Sequence, residues 1–196
     1  MPAELPIVPF ITIVSGLPRS GTSMVMHMLK AGGMDILTDH IRVPDDNNPR
    51  GYFEFERVKD LARDASWMPE ARGRAVKIIS QLLYHLPADE HYKIIFIHRR
   101  MGEILSSQRK MLERLGPGVS GADDSILAEK FERHLAHLSN WLEKQKHIES
   151  LKVQYEDIIA DPHRAAERIR TFLGVPLDSA AMTAVVDPSL YRNRHP

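Results

Sequence analysis

The 196 residues carry 26 lysines and arginines against 26 aspartates and glutamates, with no cysteine. That length suits one α/β domain with a full core over residues 1–196 and leaves little chain for a second catalytic domain of ordinary size. A balanced charge gives no electrostatic footprint for nucleic acid or an anionic membrane, and the missing cysteine excludes disulfides, thiolate metal sites and a cysteine nucleophile.

In chain order, the first residues lack a basic region and their apolar run is broken by Pro6 and Pro9. Neither a signal peptide nor a membrane span is expected, so a soluble cytoplasmic protein is the default. Phe10 to Val14 is an apolar β-branched run and predicts a buried strand. Gly16 to Gly21 predicts a glycine-bounded turn, and Thr22 to Lys30, apolar at Met24, Val25, Met28 and Leu29, predicts a helix. Ala31-Gly32-Gly33 ends it, and Met34 to Leu37 is a candidate short strand. Residues 38–52 are rich in turn formers and predict a long surface loop, followed by an amphipathic helix over 54–65 on the spacing of Phe55, Val58, Leu61 and Ala62.

Strands are predicted at Ala75 to Ile79 and Lys93 to His98, and a helix over 101–115. A loop from Gly116-Pro117-Gly118 to Asp124 is a candidate lid, and Leu127 to about Lys146 is one long amphipathic helix. Leu151, Val153 and Tyr155 alternate as a strand; Asp161-Pro162 opens a further helix as N-cap and N1, and Gly174 closes it. Strands alternating with helices imply an α/β three-layer sandwich around a central parallel sheet, of the P-loop nucleotide-binding type.

Strand, glycine loop and helix N-terminus make a phosphate cradle, because the loop's N–H groups converge and the helix dipole favours an anion there. The spacing Gly16-x-x-x-x-Gly21 fits a P-loop, yet the lysine expected after the second glycine is Thr22, and a cation stands inside the loop as Arg19. A kinase uses that lysine, with magnesium, on a heavily charged group in flight, so its absence argues for a less charged donor. Leu17-Pro18-Arg19-Ser20-Gly21-Thr22-Ser23 resembles the 5′-phosphosulfate loop of sulfotransferases. The resemblance implies 3′-phosphoadenosine 5′-phosphosulfate (PAPS) as donor co-substrate, no metal, and a cradle of Gly16, Pro18, Arg19, Ser20, Gly21, Thr22 and Ser23.

Two further segments resemble the same family. Arg99, at the carboxyl end of a strand, and Ser107, eight residues on, look like its 3′-phosphate clamp. Tyr155-Glu156-Asp157, Asp161-Pro162 and Phe172-Leu173-Gly174 resemble its late strand-helix segment, where the tyrosine helps bind the nucleotide. At the C-terminus Arg192 and Arg194 are candidate second contacts to the 3′-phosphate. Cytosolic members have Lys-x-His after the second core strand; here the matching residues are Lys77-Ile78-Ile79, so the lysine is kept and the histidine is not. Lys77, with Arg19, is assigned to charge on the departing oxygen, and Glu54 and His85 are the candidate bases. His134 and His137 share a helix face with no third ligand placed by spacing and are expected on solvated surface. The acceptor is expected to be a hydroxyl or amine of a small molecule or glycan, approaching from the side covered by residues 38–57. Rival readings are a P-loop kinase of a nucleotide or small molecule, and a non-enzymatic protein that binds an adenine nucleotide.

Overall fold

The computed structural model describes residues 10–39, 41, 51–115, 123–187 and 189. Four strands, β1 (Phe10–Gly16), β2 (Ala75–Lys77), β3 (His91–His98) and β4 (Ile148–Gln154), form one parallel sheet in the order β2-β1-β3-β4. Helix α1 (Thr22–Ala31) follows β1, α2 (Met101–Leu115) and α3 (Asp124–Leu142) follow β3, and α4 (Tyr155–Ala160), α5 (Pro162–Leu173) and α6 (Ser179–Ala184) follow β4.

β1 is buried at every position after Phe10, and β3 is buried from Ile94 to Ile97, as strands covered on both faces must be. Alternation sends Ile11, Ile13, Val76, Ile94 and Phe96 to one face, where they join Trp67, Met68, Leu83 and, from α3, Leu138 and Leu142. Val14, Ala75, Ile95, Ile97 and Val153 form a second core with Val25, Met28 and Leu29 of α1, Ile158 of α4, Ile169 of α5 and Met182 of α6. The result is the expected α/β sandwich.

From β1 the chain crosses to β2 on one side, then returns past β1 to β3 on the other. This reversal opens a crevice beyond the carboxyl ends of β1 and β3, the place where open α/β sheets bind ligands. The glycine loop leaves β1 there, and Arg99 follows β3.

Several expected elements are revised. The helix expected over 54–65 is a 3-10 turn, Glu56–Asp60, followed by further turns. Phe55, Val58 and Leu61 are spaced by three, which fits a three-residue turn as well as an α-helix, and Val58 and Leu61 are buried in either form. The strand expected at Met34–Leu37 reduces to one bridge, Ile36 to Ala75. Leu37 and Ala75 each donate one backbone hydrogen bond there before the chain turns away. β2 ends at Lys77 because a 3-10 turn begins at Ser80, and Tyr155 starts α4 rather than ending β4. The candidate lid at Gly116–Gly118 and positions 42–50 of the long loop lie outside the described residues. Among the described residues no helix is long and apolar enough to cross a membrane.

Both ends of α5 are set as their sequence requires. The Asp161 carboxylate accepts the Arg164 N–H at 3.0 Å, Pro162 opens the helix, and Gly174 closes it in a left-handed conformation at φ 70°. Asp161→Ala should therefore cost about 1 kcal/mol, the usual worth of an N-cap. In urea unfolding the midpoint should fall while the slope stays constant.

Candidate active site

The loop between β1 and α1 is tightly wound. Ser20 donates its backbone N–H to the Leu17 carbonyl at 3.2 Å, Arg19 stands at φ 69°, and Gly21 at φ 104° turns the chain into α1. Both glycines are steric requirements. A Cβ on Gly16 would lie 2.4 Å from Ser20 Oγ and 2.7 Å from the Ile97 carbonyl, and one on Gly21 would lie 2.4 Å from the Tyr155 ring. The backbone N–H groups of Gly21 and Thr22 have no hydrogen-bond partner among the described residues. Ser20 Oγ is buried and also unpartnered. Free donors at a helix N-terminus behind a glycine turn fit an anionic group such as a phosphosulfate. Pro18, Thr22 and Ser23 are half-buried along the same segment.

Arg99 is folded inward rather than into solvent. Its Nε donates to Glu103 Oε2 at 2.9 Å, a terminal nitrogen donates to the Arg19 carbonyl at 3.1 Å, and the guanidinium lies 4.3 Å from the centre of the Tyr155 ring. Glu103 is fully buried one turn along α2. Ser107, a further turn on, accepts Arg19 Nε at 3.0 Å. The loop cation, the strand-end arginine, the α2 serine and the α4 tyrosine thus form one cluster. Burial pushes the Tyr155 phenol up, a rise that the nearby Arg99 charge partly offsets. A phenol already neutral at pH 7 stays protonated there, so Tyr155 offers its ring face rather than a proton acceptor.

Lys77 ends β2 with its side chain 10% exposed. Its Nζ donates to the Tyr52 carbonyl and lies 3.5 Å from Glu54 Oε1. The expected charge stabiliser and one expected base are therefore an ion pair at the edge of the crevice. Glu54 does not start a helix; it precedes the 3-10 turn whose N-cap is Phe55. His85 is exposed at the end of the 3-10 turn Ser80–His85, and no described contact joins it to the loop. Arg192 and Arg194 lie outside the described residues.

Reading the sequence missed one member of the cluster, Glu103, and one contact beyond β2, that of His134. Glu103 stands four residues after Arg99, a helical ion-pair spacing that was there to be read. His134, expected on solvated surface, is half-buried and its Nε2 lies 3.0 Å from Ser80 Oγ. Nothing local in the sequence signals that contact.

A parallel sheet with a switch point beside a glycine loop defines the P-loop type of nucleotide-binding fold. Residues 76–179, more than half of the chain, match the family described as the sulfotransferase family. The chain belongs to that family. The match includes Lys77, Arg99, Ser107 and Tyr155 and begins after the glycine loop. Among solved structures it resembles mouse sulfotransferase SULT7A1 complexed with PAP (TM-score 0.58, 17% identity, 90% of this chain and 63% of that one). It also resembles the sulfotransferase domain from the curacin biosynthetic pathway (TM-score 0.54, 16% identity, 96% and 92%). A sulfotransferase from Alicyclobacillus acidocaldarius is similar too (TM-score 0.50, 16% identity, 92% and 87%). The chain thus spans somewhat less than two thirds of the mouse protein's length. No curated protein sequence matches it.

The contact between Gly21 and Tyr155 can be tested directly. Gly21→Ala adds left-handed strain of about 1–2 kcal/mol and a clash with the ring of about 1–3 kcal/mol, so the thermal midpoint should drop by several degrees. Because the clash disappears with the ring, the double variant with Tyr155→Ala should lose less than the sum of the two single variants.

Proposed function

We propose that this protein transfers a sulfuryl group from PAPS to a hydroxyl or amine acceptor. The observation that carries the reading is the cluster joining the two expected phosphate segments. Arg19 Nε reaches Ser107 Oγ at 3.0 Å and Arg99 reaches the Arg19 carbonyl at 3.1 Å, beside the free N–H groups of Gly21 and Thr22. Membership of the sulfotransferase family supports it, as does the likeness to a mouse sulfotransferase solved with PAP.

In this reading PAPS supplies the activated sulfuryl group and a nucleotide leaving group. Gly16, Pro18, Ser20, Gly21, Thr22 and Ser23 hold the 5′-phosphosulfate; Arg99 and Ser107 hold the 3′-phosphate; Tyr155 supports Arg99 and packs against the loop. Arg192 and Arg194 are further candidates for the 3′-phosphate. Arg19 exchanges its bond to Ser107 for the oxygen between phosphorus and sulfur, where charge grows as the S–O bond breaks. Lys77 assists from β2 after releasing Glu54. Donors fixed in advance at the site of developing charge stabilise the transition state more than the ground state. No catalytic metal is required by this arrangement, and the acceptor is a small molecule or a glycan. In this reading residues 1–196 act as a single domain, in the cytoplasm.

Two measurements test this. Adenosine 3′,5′-bisphosphate should bind at least about tenfold more tightly than AMP, the worth of a charge-assisted hydrogen bond of about 1.5–3 kcal/mol. Ser107→Ala should reduce that preference and Arg99→Ala should erase most of it; equal calorimetric affinities for the two nucleotides in the wild type would remove the donor assignment. Arg19→Ala should lower labelled-sulfate transfer by about 100- to 1,000-fold while weakening product binding much less, and Arg19→Lys should recover part of the rate. A mere phosphate anchor would instead lose rate and affinity by the same factor.

A further inference from the structure

The residue two after Lys77 is Ile79, 44% exposed and unable to take a proton. A histidine nevertheless reaches this edge of the sheet from the opposite layer. His134 of α3 packs its ring 6.0 Å from that of Tyr84 and places Nε2 3.0 Å from Ser80 Oγ. Ser80 is fully buried and stands three residues after Lys77, a span of at most about 10 Å.

The hydrogen-bond inventory assigns the imidazole tautomer. Ser80 has one hydroxyl hydrogen, which it donates to Gln81 Oε1 at 3.2 Å, so toward His134 its oxygen accepts. Nε2 therefore carries the proton, and the lone pair is on Nδ1. Nδ1 makes no described hydrogen bond, yet it is absent from the buried unpartnered atoms, so it opens on solvent. The surface beside it includes exposed Ile79 and Tyr84.

We propose that His134, oriented by Ser80, is the base that takes the acceptor's proton, a role that rests on the sulfuryl-transfer reading above. The acceptor O–H or N–H gives its proton to Nδ1, the acceptor atom bonds to sulfur, and the S–O bond to phosphate breaks. The bond's electron pair leaves on adenosine 3′,5′-bisphosphate, and the imidazolium later returns its proton to water. Ile79 and Tyr84 then offer the acceptor an apolar and aromatic surface.

Burial, with the charge of His137 one turn along, holds His134 below the ordinary imidazole value of 6.5. Among the described residues Tyr84 also faces the ring, and burial pushes its phenol up, so it stays neutral. At pH 7 the base is therefore in its active, unprotonated form, and the rate should fall as pH drops through the lowered value.

The test has one arm without catalysis and one with it. Nitrogen-15 NMR of the full chain should show His134 protonated at Nε2 and bare at Nδ1 at pH 7, titrating below 6.5. The opposite tautomer, or a midpoint at or above that value, would overturn the proposal. His134→Gln keeps a donor for Ser80 but has no base; it should lower kcat by about 100- to 10,000-fold, abolish the acid limb of the pH profile, and leave affinity for adenosine 3′,5′-bisphosphate unchanged. Added imidazole should partly rescue His134→Ala. A wild type that transfers sulfate beside a His134→Gln variant of undiminished rate sinks this assignment alone. A wild type that binds the bisphosphate no better than AMP and transfers nothing sinks the parent reading and this one together.

Discussion

A buried guanidinium organises the crevice. The Arg99 side chain is 8% exposed and that of Glu103 not at all, and removing two such charges from water costs several kcal/mol each unless each is paired and hydrogen-bonded. The fold meets that demand from three directions: Glu103 from α2, the Arg19 carbonyl from the loop after β1, and the Tyr155 ring from the start of α4. The ring that covers the guanidinium also fills the space where a side chain at residue 21 would lie, so the loop's curvature and the arginine's burial are one constraint.

The chain is neutral as a whole, yet Arg19 and Arg99 meet at one point with Glu103 between α2 and the strand end. On the β2 side Lys77 is balanced by Glu54. An anion at the loop therefore meets two guanidinium groups and the N–H groups of Gly21 and Thr22 in a partly dry setting, where electrostatic interactions exceed their strength in water. Arg19 donating to Ser107 ties the glycine loop to α2. A nucleotide would replace contacts that already exist, and little reorganisation of the backbone is needed.

What could be read from the sequence was local. β1, its glycine loop and α1 are contiguous, and their periodicity and spacing are visible within about twenty residues. Glu103 and Ser107 are four residues apart on α2 and Arg99 stands four residues before Glu103, so a shared side was predictable. The caps of α5 likewise lie within one turn of their partners. The long-range contacts could not be read that way. Arg19 and Ser107 are 88 residues apart and Ser80 and His134 are 54 apart, and only the sheet order brings them together. The 54–65 segment was misassigned because Phe55, Val58 and Leu61 are spaced by three, which a 3-10 turn satisfies as well as an α-helix does.

Arg19 occupies its place at φ 69°, in a region that costs a non-glycine residue about 1 kcal/mol or more. Asparagine or glycine at this position would relax the backbone and remove the loop's cation in the same step. Selection for thermal tolerance alone would therefore drift toward a firmer loop without its cation, whereas selection that keeps the guanidinium retains the strained turn. Attempts to raise this protein's melting temperature should leave residue 19 untouched and look instead to the caps and surface positions far from the crevice.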